Sequence, residues 1–443
     1  MLLLAGCAKG SPVPESRSSR PFFDLRSREP NYAGPGREET APPDVKEVLI
    51  GYFGPPDDSG LEQTSGAHPQ SAIRHPQFRD MWRAACLAVE QANEAGGYRS
   101  LPFRLLPAWS DNPWGSGVKD LTRLVFVDKV WAVIGGVDGP STHLAEQVVT
   151  KAGLTLLNPV STDKTVNLIN VPWVFSCTPQ DHIQAKALGE GLASRLGKNP
   201  FVLASAVDHD SHLFTVELEK ALTAGRNAKS CIPVCAYHYE FNLVEGEWKD
   251  LVEKIRFSQI NAVVLVARAQ PSARLVRSLR DSGYRGSIFG GPSMAERAFA
   301  GGAGSAAEGI IFPCSYVPSA RSAAFEERFK QRFGTNPDCL AAHTYDAVNL
   351  LVAAIRRGGL NRARIRDAVR ELGSPISPWE GVSGTIAWDA PGANHAPVQL
   401  CTIRNGQVAP FAPKDDNPVT SVAETLRREG SISEPPGKDL INE

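Results

Sequence analysis

The sequence lacks the features of several large protein classes. No run approaches the 18 or so consecutive apolar residues that a transmembrane helix needs. Its 47 Lys and Arg residues nearly balance its 48 Asp and Glu residues, and the formal net charge is -1. No basic patch with interleaved aromatic side chains occurs, so the sequence gives no reason to expect a nucleic-acid partner. The 443 residues exceed the size of one ordinary core, and we expect at least two lobes.

Local signatures of catalysis and nucleotide binding are also absent. The sequence contains no G-x-S-x-G elbow, no G-K-[ST] phosphate loop and no G-x-G-x-x-G dinucleotide motif. Ser141, His143, His209 and Asp210 are the raw material of a hydrolase triad, but GPST places Ser141 at a predicted helix start, where capping explains a serine. We therefore predict a protein that is not an enzyme and that needs no cofactor.

One short stretch, AVDHDSH, raises the question of a metal site. It contains Asp208, His209, Asp210 and His212. Consecutive loop residues point in different directions, whereas a transition-metal site needs converging ligands. No C-x-x-C motif occurs among the eight cysteines. The sequence therefore predicts no metal centre, and solvated loop residues are the plainer interpretation.

The N-terminus suggests export and anchoring. Leu4-Ala5-Gly6-Cys7 fits the small-residue pattern before the lipid-modified cysteine of bacterial lipoproteins, although a secretory signal needs about 7 to 15 apolar residues and only six residues precede Cys7. We interpret residues 1–7 as the remnant of a lipoprotein signal; a chance LAGC is the alternative. Residues 8–45 have the Pro- and Ser-rich composition of a disordered tether, and 415–443 predict a polar C-terminal tail.

From residue 46, short apolar strands alternate with amphipathic helices. EVLIGYF, PFRLLPAW, VWAVIGG and LTLLNPV are separated by helical segments, and a second such series includes FVLASA, NAVVLVA and SIFGG. Short continuous apolar strands are typical of parallel sheets that helices cover on both faces. The fold class predicted from this pattern is α/β, with two doubly wound, Rossmann-like lobes. GTIAWDAPG and VQLCTIRNGQV predict hairpins near the end.

In open parallel sheets, ligands bind beyond the carboxyl ends of the strands. The informative residues are therefore those that directly follow the predicted strands: Asp138, Gly139, Ser141 and Thr142; Val160, Ser161 and Thr162; His209 and Asp210; Arg268; and Ser293. If the two lobes face each other, these residues line a cleft with hydroxyls, backbone amides and a few charges.

The order of motifs resembles a known family. IGYFGP, AVEQANEAGG, VIGGxxGPST, LLNPVSTD, FSCTPQDHIQA, AVVLVA, DSGYRGSIFGGP and AAEGIIF are together similar to the bacterial periplasmic amino-acid-binding proteins of the Leu/Ile/Val class, which serve ABC transporters. The resemblance covers roughly residues 47 to 405. It implies a type I periplasmic binding fold, in which three hinge crossovers join two lobes that close on a ligand like a clam shell.

The resemblance also implies domain bounds and hinges. Lobe 1 would comprise 46–175 and 316–384, and lobe 2 would comprise 176–315 and 385–414. Cys177 and Cys314 would lie on neighbouring hinge segments, either as a disulfide or as two buried free thiols.

The resemblance places the ligand among the residues that follow the strands. The loop that grips the ligand α-carboxylate corresponds to Asp138–Thr142, with Ser141 as a hydroxyl donor and candidate helix N-cap, and the next contacts fall at Val160–Thr162. Three positions depart from the family: an aromatic is replaced around Asp210, a tyrosine by Arg268, and the ammonium-binding glutamate by Ser293. An α-ammonium would then need Asp138 or Asp210, and Arg268 favours an anionic group. His209 is a further polar candidate.

Two other segments lie near the expected cleft. A lid-like insertion, DDSGLEQTSGAHPQSAIRHPQ, enlarges the first loop. Trp109 and Trp114 follow the second strand and either stack on a flat ligand or pack beneath the loop.

The function implied by these features is an extracytoplasmic solute-binding lipoprotein. It would capture a small polar ligand, an amino acid or a related amide or carboxylate, and deliver it to the membrane subunits of an ABC permease, with a lipid on Cys7 as its membrane anchor. The alternative is a regulatory lipoprotein of the same fold that senses a ligand or partner without transport.

Overall fold

The computed structural model describes residues 36–57, 76–110, 112–226, 233–242 and 247–412. Most of the predicted insertion (58–75), the signal remnant and Cys7, and the predicted tail lie outside the described residues. None of the helices in the described ranges combines the length and apolar character that crossing a bilayer requires.

The described strands form two large sheets and one short pair. In chain order they are β1 (Val48–Phe53), β2 (Phe103–Ala108), β3 (Ala132–Gly135), β4 (Leu156–Asn158), β5 (Val174–Pro179), β6 (Phe201–Ala206), β7 (Cys235–Phe241), β8 (Ala262–Val266), β9 (Ser287–Gly290), β10 (Ile311–Cys314), β11 (Trp379–Glu380), β12 (Thr385–Ile386), β13 (Ala393–Asn394), β14 (Gln399–Arg404) and β15 (Gln407–Pro410).

The helices lie between these strands. In chain order they are α1 (Arg79–Glu94), α2 (Val118–Phe126), α3 (Gly139–Ala152), α4 (Thr165–Leu168), α5 (Asp181–Leu196), α6 (His209–Arg226), α7 (Glu247–Phe257), α8 (Ala269–Asp281), α9 (Arg297–Ala303), α10 (Ala323–Phe333), α11 (Cys339–Gly358) and α12 (Arg362–Leu372).

The first lobe is built on a parallel sheet of order β13-β5-β4-β3-β1-β2. Its central strands β3 and β4 are buried at every residue, because helices cover both faces. On one face α1, α11 and α12 enclose a core that includes Trp82 and Trp388. On the other face α2 and α3 pack over a second cluster that includes Phe53 and Leu124.

The second lobe repeats the plan with a sheet of order β15-β14-β10-β9-β8-β6-β7. The pairings from β7 to β10 are parallel, whereas β14 runs antiparallel to β10 and forms a hairpin with β15. This hairpin confirms the pattern of VQLCTIRNGQV, since Asn405 takes a positive φ at its tight turn with Gly406. In GTIAWDAPG the first strand, β12, pairs with β11, and Trp388 forms an antiparallel bridge with Asn394 across the turn, as the hairpin prediction requires.

The chain passes between the lobes three times: from β5 to α5, from β10 to α10, and from β13 to β14. The predicted fold class is therefore confirmed as α/β, with two Rossmann-like lobes joined by three hinge crossovers. One boundary differs from the prediction. The resemblance places residues 385–394 in lobe 2, but β13 pairs with β5 in the first sheet, and the last crossing therefore follows Asn394.

The end of the predicted tether is fixed to the first lobe. Residues 8–35 lie outside the described part of the chain, but the Arg37 guanidinium pairs with the Asp367 carboxylate at 2.8 Å. The Asn361 amide also donates to the carbonyl oxygens of Gly36 and Glu39. The prediction of a disordered tether is therefore wrong for residues 36–45, which contact the first lobe.

Hydrogen bonds of a buried side chain hold the hinge together. The Asn394 amide donates to the Cys177 carbonyl oxygen at 2.7 Å, and its own oxygen accepts from the backbone N–H of Ala387 and of Ala396. Asn394 is 2% exposed. Cys177 and Cys314, the hinge cysteines, are both buried free thiols.

Asn394→Ala should lower the free energy of unfolding by about 2 to 3 kcal/mol, because it leaves buried backbone groups without their partners. Urea unfolding followed by circular dichroism measures this change. The exposed Asn336 provides the control, and Asn336→Ala should change stability by less than about 0.5 kcal/mol. Equal stability of the two variants would contradict this role of Asn394.

Candidate interlobe ligand-binding site

A cavity of about 210 Å³ lies between the lobes. Its volume suits a solute of the size of one amino acid, since drug-sized ligands occupy pockets of roughly 300–1,000 Å³. Seven of the residues predicted from the strand ends line it: Asp138, Val160, Ser161, Thr162, Asp210, Arg268 and Ser293. The other four, Gly139, Ser141, Thr142 and His209, lie behind or beside this lining.

Ser141 and Thr142 are occupied by the start of α3. Asp138, rather than Ser141, is the N-cap, and its carboxylate accepts from the Ser141 backbone N–H at 2.9 Å. The Ser141 hydroxyl donates back to that carboxylate and accepts from the Val137 N–H, while the Thr142 hydroxyl donates to the Asp138 carbonyl oxygen. The prediction that Ser141 caps the helix is wrong, because Asp138 reaches the free N–H groups first.

Asp210 and Arg268 connect the lobes. The Gly139 N–H in lobe 1 donates to the Asp210 carboxylate in lobe 2 at 3.0 Å. The Arg268 guanidinium lies 3.4 Å from the Asp138 carboxylate and 3.6 Å from that of Asp208. Burial and the neighbouring Asp138 charge raise the pKa of Asp210 to about 6. Arg268 therefore already faces carboxylates of the protein.

The side chains of AVDHDSH diverge, but His209, Asp210 and His212 lie in the first turn of α6, so the interpretation of these three as loop residues is wrong. The Asp208 carboxylate accepts from the Ser211 hydroxyl at 2.7 Å, Asp210 turns to Gly139, and His212 is exposed. His209 instead contacts Asp163 across the cleft, with its Nε2 2.8 Å from a carboxylate oxygen.

His143 joins that contact from α3. Its Nε2 lies 3.1 Å from the same oxygen of Asp163, and its Nδ1 lies 3.2 Å from the Glu146 carboxylate. Hydrogen bonds to these two carboxylates raise the pKa of His143 to about 9. Burial by itself would raise the pKa of Asp163, but hydrogen bonds from His143, Thr165 and His209 lower it overall.

Three residues of the cavity wall with a carboxyl or imidazole side chain are not among the sequence candidates. Asp181 begins α5, and burial raises its pKa well above the ordinary value. Glu296 follows the short 3₁₀ helix Pro292–Ala295, and burial raises its pKa to about 8. His343 lies in α11, and burial lowers its pKa to about 4. Glu296 was within reach of sequence reasoning, because it lies only three residues beyond Ser293.

The two tryptophans do not line the cavity. Trp109 packs against Phe53, with ring centroids 5.6 Å apart, and Trp114 is 57% exposed. Trp109 is therefore a packing residue. Neither indole lines the cavity, so neither is placed to stack on a ligand there.

Comparisons with known proteins agree with this architecture. A sequence model described as a periplasmic binding protein matches residues 68–407. An amino acid binding protein of Pseudomonas aeruginosa is 27% identical over 356 residues, which are 79% of this chain and 87% of that protein.

Two solved structures show the same fold. The branched-chain amino acid transporter substrate-binding protein LivJ of Streptococcus pneumoniae, in complex with isoleucine, is 22% identical with a TM-score of 0.69, covering 82% of this chain and 98% of LivJ. An ABC transporter solute-binding protein of Rhodopseudomonas palustris, in complex with 3,4-dihydroxybenzoic acid, is 15% identical with a TM-score of 0.69, covering 83% and 97%.

His343 should make stability depend on pH. Its Nε2 bonds the Ser315 hydroxyl at 2.7 Å, and its pKa of about 4 lies below the 6.5 of an unfolded chain. As pH falls through this interval, the unfolded state binds the proton first and the stability conferred by the neutral ring is lost. Between pH 7 and about pH 4.5 the loss should be about 2.5 kcal/mol.

Urea unfolding at the two pH values measures this loss. Other groups titrate too, so the comparison is between the wild-type protein and His343→Gln, whose loss should be smaller by that amount. His212→Gln, at an exposed histidine, should behave as wild type. An unchanged pH dependence in His343→Gln would remove His343 as the cause.

Proposed function

The chain belongs to the periplasmic binding protein family, and we propose that it captures an amino acid or a related amide or carboxylate in the interlobe cavity. Members of this family are solute-binding proteins, and membership implies an extracytoplasmic location. We propose that the protein delivers its solute unchanged to the membrane subunits of an ABC permease. The observation that carries the proposal is the cavity itself, which is small, lies between the lobes and is lined by polar groups from both.

The balance of charge in the cavity supports a ligand with a cationic group. Asp138, Asp181, Asp210 and Glu296 line it, whereas Arg268 is the only Lys or Arg among the described lining residues. Arg268 lies beside Asp138 and Asp208, and its charge also acts on Asp210 and Glu296. One guanidinium is thus shared among several carboxyl groups, and an ammonium group of the ligand would add a second positive charge.

Glu296 is the best placed partner for that ammonium. Its carboxyl group has no hydrogen-bond or ion-pair partner among the described residues, and burial raises its pKa to about 8. A cation at this point would stabilise the ionised form and offset the cost of burial. Glu296 would thus supply the carboxylate that is missing at Ser293.

The opposite end of the ligand would meet lobe 1 and Arg268. Ser161 and Thr162 line the cavity directly after β4. The Ser161 hydroxyl accepts from the Asp163 N–H at 3.4 Å and would still have its own proton to donate to a ligand. The Arg268 guanidinium, which lies 3.4 Å from the Asp138 carboxylate and 3.6 Å from that of Asp208, would turn toward a ligand carboxylate. An amino acid presents both groups. The names of the relatives, which include an amino acid binding protein, support the same ligand class.

Thermal denaturation with a library of amino acids, amides and carboxylates tests the proposal. A ligand at about 100 times its dissociation constant should stabilise the protein by about 2.7 kcal/mol. For a ligand with an ammonium group, Glu296→Gln should weaken binding about 10- to 100-fold in calorimetry, because it removes a charge-assisted hydrogen bond.

Glu253→Gln is the matched control, since Glu253 is an exposed residue of α7 in the same lobe; its affinity should equal that of wild type. Equal affinity of Glu296→Gln and wild type would show that Glu296 does not hold the ammonium. A library without any stabilising member would contradict small-solute binding itself.

We further propose that Cys7 carries a lipid that anchors the protein to the membrane. The LAGC motif supports this assignment, since lipoprotein processing leaves the modified cysteine at the mature N-terminus. Mass spectrometry of protein expressed behind a complete lipoprotein signal should find a lipidated Cys7. Cys7→Ser should abolish the modification and release the protein from the membrane fraction, whereas Cys235→Ser should do neither. An unmodified mature N-terminus at another residue would disprove the anchor.

A further inference from the structure

Three potential metal ligands meet at the rim of the cleft. His143 lies on α3 and Asp163 in the loop after β4, both in lobe 1, while His209 begins α6 in lobe 2. One ligand atom from each falls within 4.8 Å of the others. The Asp163 oxygen is 2.8 Å from Nε2 of His209 and 3.1 Å from Nε2 of His143. These separations approach the roughly 3.3 Å edge of a tetrahedron with bonds of about 2.0 Å.

The surrounding groups orient two of the three ligands. Thr165 holds one oxygen of Asp163 through its N–H at 2.8 Å and its hydroxyl at 2.6 Å, which leaves the other oxygen for the histidines. Nδ1 of His143 faces the Glu146 carboxylate at 3.2 Å. Metal-bound histidines commonly donate their second ring N–H to a carboxylate in this way.

Glu146 is buried beside His143, three residues further along α3. It is 2% exposed, and its second carboxylate oxygen is buried without a hydrogen-bond partner among the described residues. A buried carboxylate directed at the far nitrogen of His143 is a second observation, independent of the ligand cluster itself, that points to a bound cation.

We propose that His143, Asp163 and His209 bind one Zn²⁺ ion between the lobes, with water as the fourth ligand. Two imidazoles and one carboxylate form a donor set that zinc accepts. The ion would take the place of the hydrogen bonds that Nε2 of His209 makes with Asp163 and that Nε2 of His143 makes with Asp163 and, at 2.8 Å, with the Thr165 hydroxyl. His209 is 42% exposed at its side chain, so the ion has a route from solvent.

A zinc ion at this point would stabilise the closed conformation. Its ligands come from both lobes, beside the Gly139–Asp210 contact and the 2.7 Å ion pair of Lys164 with Glu217. Opening the cleft would remove His209 from the other two ligands. Zinc would therefore bind the closed form more tightly and shift the population toward it. By linkage, any solute that closes the cleft would raise zinc affinity, and zinc would raise solute affinity.

Equilibrium dialysis of untagged, chelator-treated protein against ZnCl₂ tests the site without any solute. Elemental analysis should find one zinc per chain. His143→Ala and His209→Ala should lose this zinc, and Glu146→Gln should weaken binding roughly 10- to 100-fold. His212→Ala is the matched control, because His212 is an exposed histidine one turn further along the same helix; it should bind zinc as wild type does.

Cobalt substitution and a distance measurement complete the test. Co²⁺ should give the intense visible bands of a tetrahedral site in wild type and His212→Ala but not in His209→Ala. Paired spin labels on the two lobes should show zinc-dependent closure only in wild type and His212→Ala, and circular dichroism checks that each variant is folded.

Failure of wild type to bind stoichiometric zinc, or equal binding by folded His209→Ala, would overturn the proposal. If the lobes closed although no zinc was bound, the His143, Asp163 and His209 cluster would be an ion-pair contact only, and this result would also overturn the proposal. None of these outcomes depends on solute binding.

Discussion

All neighbouring strands of a parallel sheet end at the same edge, and the rest of this molecule depends on that constraint. It gathers the loops after β3 and β4 at one edge of lobe 1 and those after β6, β8 and β9 at one edge of lobe 2. Three crossings hold the two edges together, and Asn394 bonds the hinge segments to each other. Residues as distant in sequence as Asp138 and Asp210 thereby reach the same cavity.

Helix capping and ligand binding compete for the same side chains at these edges. Asp138 and Ser141 exchange hydrogen bonds at the start of α3, which is a favourable use of both groups but removes the Ser141 hydroxyl from the cavity. In the loop after β4, a residue outside the cavity lining makes the hydrogen bonds that hold the turn. Asn158 accepts from the backbone N–H groups of Val160 and Ser161, so a buried side chain supports the turn whose residues Val160, Ser161 and Thr162 line the cavity.

Buried carboxyl groups give the cleft its electrostatic character. Burial raises the pKa values of Asp181, Asp210 and Glu296, and in such surroundings a cation is the group best able to offset the cost of desolvation. At the rim of the cleft, the buried Asp163 carboxylate contacts the imidazoles of His143 and His209. The cationic group of the proposed solute and the proposed zinc ion would each offset the cost of burying carboxylates, one in the cavity and the other at the rim of the cleft.

The sequence by itself determined the alternation of strands and helices, and hence the α/β class, the two lobes and seven of the residues that line the cavity. Periodicity and strand ends are local properties, so they can be read without knowledge of contacts. Only the tertiary structure decided that β13 belongs to the first sheet and that His143, Asp163 and His209 converge. Each of these depends on which distant group is nearest in space, and no local pattern encodes that distance.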